Sequence, residues 1–262
     1  MTRFLRRTSE QALPWLVPAV ILACWQLGAS RGVISQRFLP APSDVALAFW
    51  HLAGTGELWR DMGVSTARAF AGFALGGSLG FVLGVLNGTS ALAARLLDSS
   101  LQMLRNIPHL AMIPLVILWF GIDESAKLFL VAAGVFFPIY LNTYHGVRTV
   151  DAGLLEMAES YGLDRWRLFR QVVLPGAFPS ILVGFRYALG IMWLTLIVAE
   201  TISASDGIGY MTMNAREFLQ TDIVVLGILI YALLGKAADL AARWLERRSL
   251  AWHPAFRPGA AP

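Results

Sequence analysis

Metal binding and nucleophilic catalysis need His, Cys and carboxylate side chains in clusters, and this sequence does not cluster them. His51, His109, His145 and His253 show no metal-ligand spacing. The lone Cys24 leaves no intrachain disulfide and no thiolate cluster. No GxxxxGK[ST] loop is present to cradle a nucleotide's phosphates. What remains is a handful of charged and polar residues inside or beside apolar stretches. Ionisable groups there are costly unless they pair or face a water-filled path. Arg68 and Glu200 fall at what would be the outer ends of two such stretches. Three readings stay open: they pair, Glu200 stands at an external gate, or each reaches the headgroups. Arg186 and Lys236 lie nearer the inner ends and read as snorkelling side chains. Asn142, Thr201, Ser203 and Ser205 could line the path of an anion or hydrogen-bond between helices. These residues suit a conduit better than an active site.

The elements that carry them follow from composition. The chain has 262 residues, of which 56% are hydrophobic and 15% charged, with a mean hydropathy of +0.60. A soluble domain carries about 25% charged residues. Lipid is the solvent that tolerates this much apolar surface. A membrane-spanning helix needs ~20 mainly apolar residues. Six stretches are expected to span: Ala12 to Ala29, Ala67 to Gly88, His109 to Gly121 (or from Met103), Ala126 to His145, Ile181 to Thr201, and Asp222 to Ala242. Pro108 and Pro114 interrupt the third. The fold class is therefore all-α, a polytopic membrane helix bundle.

The net charge of +4 does not read as nucleic-acid binding, because the basic residues cluster where cytoplasmic flanks would lie. Arg3, Arg6 and Arg7 precede the first span. Arg95 and Arg105 follow the second, Arg148, Arg165, Arg167 and Arg170 follow the fourth, and Arg243, Arg247 and Arg248 follow the sixth. Both termini are thus expected in the cytoplasm. Ile21-Leu22-Ala23-Cys24 resembles a lipoprotein cleavage box, but the many later spans favour an uncleaved first helix.

Gly72, Gly76, Gly80, Gly84 and Gly88 recur every four residues in the second span, on one helix face. That pattern predicts close packing on a neighbouring helix or on a second copy. Between the first two spans, Ser43 or Asp44 is expected to cap a helix from Val45, with Trp50 and Trp59 suited to a membrane interface.

The segment 146–180 is too structured for a connector. Asp151 to Gly162 reads as an amphipathic helix, with Leu154, Leu155 and Ala158 on one face and Glu156 and Glu159 on another. Gly162 ends it, Asp164 caps a second helix, and Pro175 is expected to stop that one before the fifth span. An apolar stripe outside the lipid needs a protein surface to bury it.

Glu156-Met157-Ala158, then three residues to Gly162, then nine to Val172-Val173-Leu174-Pro175, resembles the EAA loop of ABC importer permeases. The family has alanine where Met157 stands. Arg105-Asn106-Ile107-Pro108, Pro114 to Gly121 and Ala199-Glu200-Thr201-Ile202 are also similar to that family. Leu39-Pro40-Ala41-Pro42-Ser43 resembles its nitrate, sulfonate and taurine branch, within which the aliphatic sulfonate permeases are most alike. The resemblance implies a MetI-like bundle with a cytoplasmic coupling helix. Asp151, Leu154, Leu155, Glu156, Ala158, Glu159, Tyr161, Gly162 and Pro175 would then form the ATPase-coupling loop, within 150–176. Residues 1–58 would be an N-terminal helix and periplasmic segment, 59–243 the transmembrane domain, and 244–262 a cytoplasmic tail. It further implies a second copy of the chain, two ATPase subunits holding ATP and Mg, and a periplasmic or lipid-anchored solute-binding protein. No cofactor is expected on this chain. Taurine, nitrate or a pyrimidine precursor stay open as substrates. A secondary transporter would show inverted repeats, and a membrane enzyme clustered His, Asp or Glu at one depth; neither pattern is seen.

Overall fold

Backbone amides in lipid must bond within their own segment, so apolar stretches of this length fold as helices. The computed structural model describes residues 2–251, with side chains from Leu16 onward except Ser203. The expected tail from Pro254, His253, and the side chains of Arg3, Arg6, Arg7 and Ser203 lie outside the described residues. The helices are α1 (Thr2–Ser30), α2 (Pro42–Thr55), α3 (Glu57–Thr89), α4 (Ala91–Arg105), α5 (Ile113–Phe120), α6 (Glu124–Arg148) and α7 (Ala152–Ser160). They continue with α8 (Arg165–Leu168), α9 (Leu174–Ser203), α10 (Ile208–Glu217) and α11 (Thr221–Ser249). No strand occurs among the described residues.

α6 forms the centre, packed between α3 and α9. Its flanks are close because glycines remove side chains on both sides. The α3 glycines meet α6: Gly72 faces Val131, Gly80 the Phe136 carbonyl, Gly84 Thr143 and Gly88 Val147. A Cβ on Gly80 would come within 2.6 Å of that carbonyl oxygen. The neighbour expected from the four-residue spacing is therefore α6. On the other flank Gly146 faces Ala177 and Ser180, and Gly184 faces Pro138 and Asn142. α2, α10 and α11 complete the core through Val45, Leu52, Ile208, Leu226 and Ile230. Many large apolar side chains on α1, α3, α9 and α11 stay exposed, as lipid contact requires.

Four of the helices are long and apolar enough to cross a membrane: Glu57–Thr89, Glu124–Arg148, Arg165–Ile202 and Thr221–Ser249. The expected third span is not one straight helix. α4 and the run His109–Phe120 are long and apolar enough only when taken together, and the pair is bent by 79°. Pro108 supplies no amide and pushes Ile107 out of the helical region, so the chain must turn there. The apolar part of α1, Leu16–Ser30, is shorter than the others.

Two helix starts differ from expectation. α2 begins at Pro42, whose fixed φ suits a first helical position. Neither Ser43 nor Asp44 is its cap; Asp44 reaches back and accepts from the Ala41 amide at 3.3 Å. Pro175 does not stop a helix either. It lies in the first turn of α9, and a π-helical turn, Phe169–Val173, joins α8 to α9. Wider π bonding accommodates a ring that would otherwise clash with a carbonyl four residues back. α3 and α11 run unbroken across the expected boundaries at 58/59 and 243/244.

Candidate functional site

α3 puts Asp61, Ser65 and Arg68 on one buried face, because residues four and three apart share a face. Arg68 joins the start of α6, the end of α9 and the loop before α10 there. Its Nη1 donates to Glu200 at 2.9 Å and to the Asp206 carbonyl at 2.8 Å. Its Nε and Nη2 bond Glu124 in a fork, at 2.6 and 2.5 Å. Nη2 also bonds the Asp206 carboxylate. Lys127 adds a second cation to Glu124 at 2.7 Å. Glu200, only 1% exposed, further accepts from Tyr231 at 2.8 Å and from the Gly209 amide at 3.0 Å, with Ser65 Oγ at 2.8 Å. Ser65 Oγ in turn accepts from the Ile208 amide at 2.9 Å, and Asp61 from the Gly207 amide at 3.3 Å. The first amides of α10 are thus satisfied by α3 and α9, where orphaned helix donors favour negative charge.

Burial of this many charges is tolerable only when each is paired and hydrogen-bonded. Here every donor of Arg68 is taken, so the cluster is a clasp whose guanidinium offers no free donor to a passing anion. Gly207 belongs to it by necessity. Its φ is 99°, and a Cβ would stand 2.7 Å from Glu200 Oε1 and 2.8 Å from Arg68 Nη1. Of the three open readings for Arg68 and Glu200, direct pairing is the geometry found. Thr201 bonds its own helix, at the Ile197 carbonyl. Asn142 donates to the Pro138 carbonyl at 2.8 Å and packs on Gly184. Arg186 does not simply snorkel: it bonds Asp239 of α11 at 2.8 Å, because a facing carboxylate is a nearer partner than water.

At the other end of α6 stands α7. Asp151 caps it, accepting from the Leu154 amide at 3.0 Å. Gly162, at φ 75°, closes it with bonds from Gly162 N to Glu159 O and from Leu163 N to Ala158 O. Asp164 caps α8 through the Arg167 amide at 2.8 Å. The expected apolar stripe divides. Ala158 is buried (4% exposed), and Leu155 packs on Val147, Val173, Ala177 and Ile181 of the chain's own core. Leu154, Met157 (52% exposed) and Tyr161 (78%) form a separate outward face, with Trp166 exposed nearby. Glu156 and Glu159 are exposed.

Sequence reasoning missed Asp61, Glu124, Lys127, Asp206 and Tyr231 in the clasp, and Met157 and Trp166 on the outward face. The spacing of Asp61, Ser65 and Arg68 was a readable signal. Nothing in a single sequence marks Tyr231, an ordinary aromatic within an apolar run.

The model of the binding-protein-dependent transport system inner membrane component family matches residues 76–250. This chain belongs to that family. The matched stretch holds α7, Glu124, Glu200 and Asp206 but starts after Arg68. Among members, the chain is 63% identical over 243 residues to the aliphatic sulfonates transport permease protein SsuC of Escherichia coli (strain K12), covering 93% of this chain and 92% of that one. Identity to the protein of the same description from Bacillus subtilis (strain 168) is 48% over 241 residues, covering 92% and 87%. The fold is also that of a solved amino acid ABC transporter with histidines, at 17% identity and a TM-score of 0.63, covering 76% of this chain and 97% of that one. A member of this inner membrane component family is a multi-pass membrane permease, consistent with four long apolar helices and a bent fifth pair.

Proposed function

We propose that this chain is the permease subunit of an ATP-driven importer of aliphatic sulfonates in the bacterial inner membrane. The observation that carries the reading is 63% identity over nine tenths of the chain to a sulfonate permease. In this reading the chain crosses six times, α1 and the bent α4–α5 pair included, with both termini in the cytoplasm. Two copies enclose the path. ATP and Mg are held by two separate ATPase subunits, so this chain is not itself an enzyme, and an external solute-binding protein delivers substrate.

α7 is the part the ATPase moves. Its outward apolar face, Leu154, Met157 and Tyr161, suits a groove on a partner protein, and its inward face, Leu155 and Ala158, carries the push into α6 and α9. Both helices are packed on glycine seams, which transmit displacement with little slack. The Arg68 clasp lies at the far end of α6, roughly 36 Å away at helical rise, and faces the periplasm. Opening would part helices that the clasp now joins.

The test is reconstitution with the ATPase and solute-binding protein in proteoliposomes. Labelled octanesulfonate should accumulate only with ATP. Equal uptake with and without ATP, or ATP-driven uptake of taurine or nitrate but no alkanesulfonate, refutes the reading.

A further inference from the structure

A groove of about 400 Å³ opens between α9 and α11. Two glycines make the room, since an added Cβ would meet nothing within 4 Å at Gly190 or at Gly235. Val183, Tyr187 and Leu189 form the α9 wall. Arg186 bonds Asp239 across the groove at 2.8 Å, four residues along each helix from those glycines.

Three cations converge on Asp239. Arg186 takes one carboxylate oxygen and Arg243 the other, at 2.9 Å. Lys236 is left at 3.8 Å, beyond hydrogen-bond reach, with its side chain 62% exposed. The second carboxylate, Glu246, is buried and comes no nearer to Arg186 than 3.8 Å. Arg247 and Arg248 follow, both exposed. Five cations thus stand with two carboxylates, a surplus of three positive charges. Their depth is informative. Lys236 and Arg243 lie 15 and 22 residues from the start of α11, about 22 and 33 Å of helix. A hydrocarbon core is ~30 Å thick. The cations therefore straddle a headgroup boundary, where the exposed indole of Trp244 also suits the interface.

We propose that this groove holds an anionic phospholipid of the cytoplasmic leaflet, with its phosphate on Lys236 and Arg243 and one acyl chain over Gly235 and Gly190. Basic pockets between helices at the headgroup level suit anionic lipid heads. The side named rests on the proposed orientation, and nothing in the site depends on the substrate. Two other occupants fit less well. A transported anion needs donors along its way. Outward from the cations the α9 face runs Val183, Tyr187, Gly190, Leu194, where the Tyr187 hydroxyl is the one side-chain donor; an acyl chain needs none. A second copy seated symmetrically on this patch would bring the same surplus of positive charge against itself.

The test is photolabelling of the permease–ATPase complex in nanodiscs of equal parts phosphatidylglycerol and phosphatidylcholine. One lipid or the other carries a photoreactive group at the same acyl carbon. Peptides covering 183–190 and 235–239 should be labelled about tenfold more by phosphatidylglycerol. Lys236→Gln, at an exposed position, should cut that preference about fivefold, and Lys236→Arg should keep it. Gly235→Leu, which fills the groove and leaves the cations, should lower labelling there by both lipids. Phosphatidylglycerol should also raise the melting temperature of wild type more than that of Lys236→Gln. Equal labelling by the two lipids, or wild-type preference in Lys236→Gln, overturns the proposal. So does displacement of the label by saturating octanesulfonate, or a disulfide between two copies through Gly190→Cys in a Cys24→Ala background. Labelling is scored without ATP or substrate. Failed sulfonate uptake therefore leaves the site standing, and an unlabelled groove leaves the proposed function standing.

Discussion

Gly80→Ala adds one methyl group at the tightest kind of contact, side chain against fixed backbone. The new Cβ would lie 2.6 Å from the Phe136 carbonyl oxygen and 3.2 Å from the Tyr140 amide nitrogen. Ordinary contact begins near 3.4 Å, so α3 and α6 must part by about 0.8 Å at this level. A gap of that size forfeits about a quarter to a half of each dispersion well, which is ~0.1–0.2 kcal/mol per atom pair. Spread over the few tens of pairs around Gly80, the loss is about 1–3 kcal/mol, the usual cost of overpacking. Gly63 is the control. It lies in the same helix with nothing within 4 Å of an added Cβ. Gly63→Ala should be neutral or stabilise by about 0.5–1 kcal/mol through helix propensity. Thermal unfolding of each purified variant in one detergent reads the difference. Gly80→Ala should melt several degrees below wild type, and Gly63→Ala at or above it. Equal melting temperatures would show that the seam is not load-limited by these contacts.

Other perturbations address the two ends of α6. Glu200→Gln keeps the size of the side chain but removes the buried charge facing Arg68; with Glu124 and Asp206 still paired to that guanidinium, a loss of about 3 kcal/mol is expected in the same unfolding assay. A melting curve identical to wild type would contradict the clasp. Gly162→Val forces a β-branched residue to φ 75°, at a cost of about 1–2 kcal/mol confined to the α7 terminus. It should abolish ATP-coupled uptake while the permease still inserts, and unaltered coupling would contradict the role given to α7. Asp151→Ala removes the cap of α7, worth about 1 kcal/mol, so amide exchange around Leu154 should quicken about fivefold while α6 stays protected.

The regular part of this molecule was legible because lipid imposes one rule on every span. Long apolar runs became α3, α6, α9 and α11, and the glycine period named the tight face of α3. The cap at Asp164 and the break at Gly162 were legible from local chemistry alone. Where the expectations failed, tertiary surroundings decided. The interruption expected at Pro108 is a 79° bend, while Pro175, expected to stop a helix, was absorbed by a π turn, and nothing local distinguishes the two prolines. The clasp was half visible: Arg68 and Glu200 stood out as charges in apolar runs, but Glu124, Asp206 and Tyr231 come from three other segments. α7 was visible as amphipathic, yet which apolar side chains turn inward depends on where α9 begins, which the sequence pattern does not specify.

That division of α7 permits the most direct test of its role as the contact with the motor. Single cysteines at Met157, Tyr161 and Ala158, in a Cys24→Ala background, can be treated with a short crosslinker in membranes that also contain the ATPase subunit. Met157→Cys and Tyr161→Cys should link to the ATPase, and Ala158→Cys, buried against its own chain, should not. Absence of any ATPase adduct from the two exposed positions, or their labelling by a membrane-impermeant reagent from the periplasmic side, would contradict the claim that this helix receives the force of ATP hydrolysis.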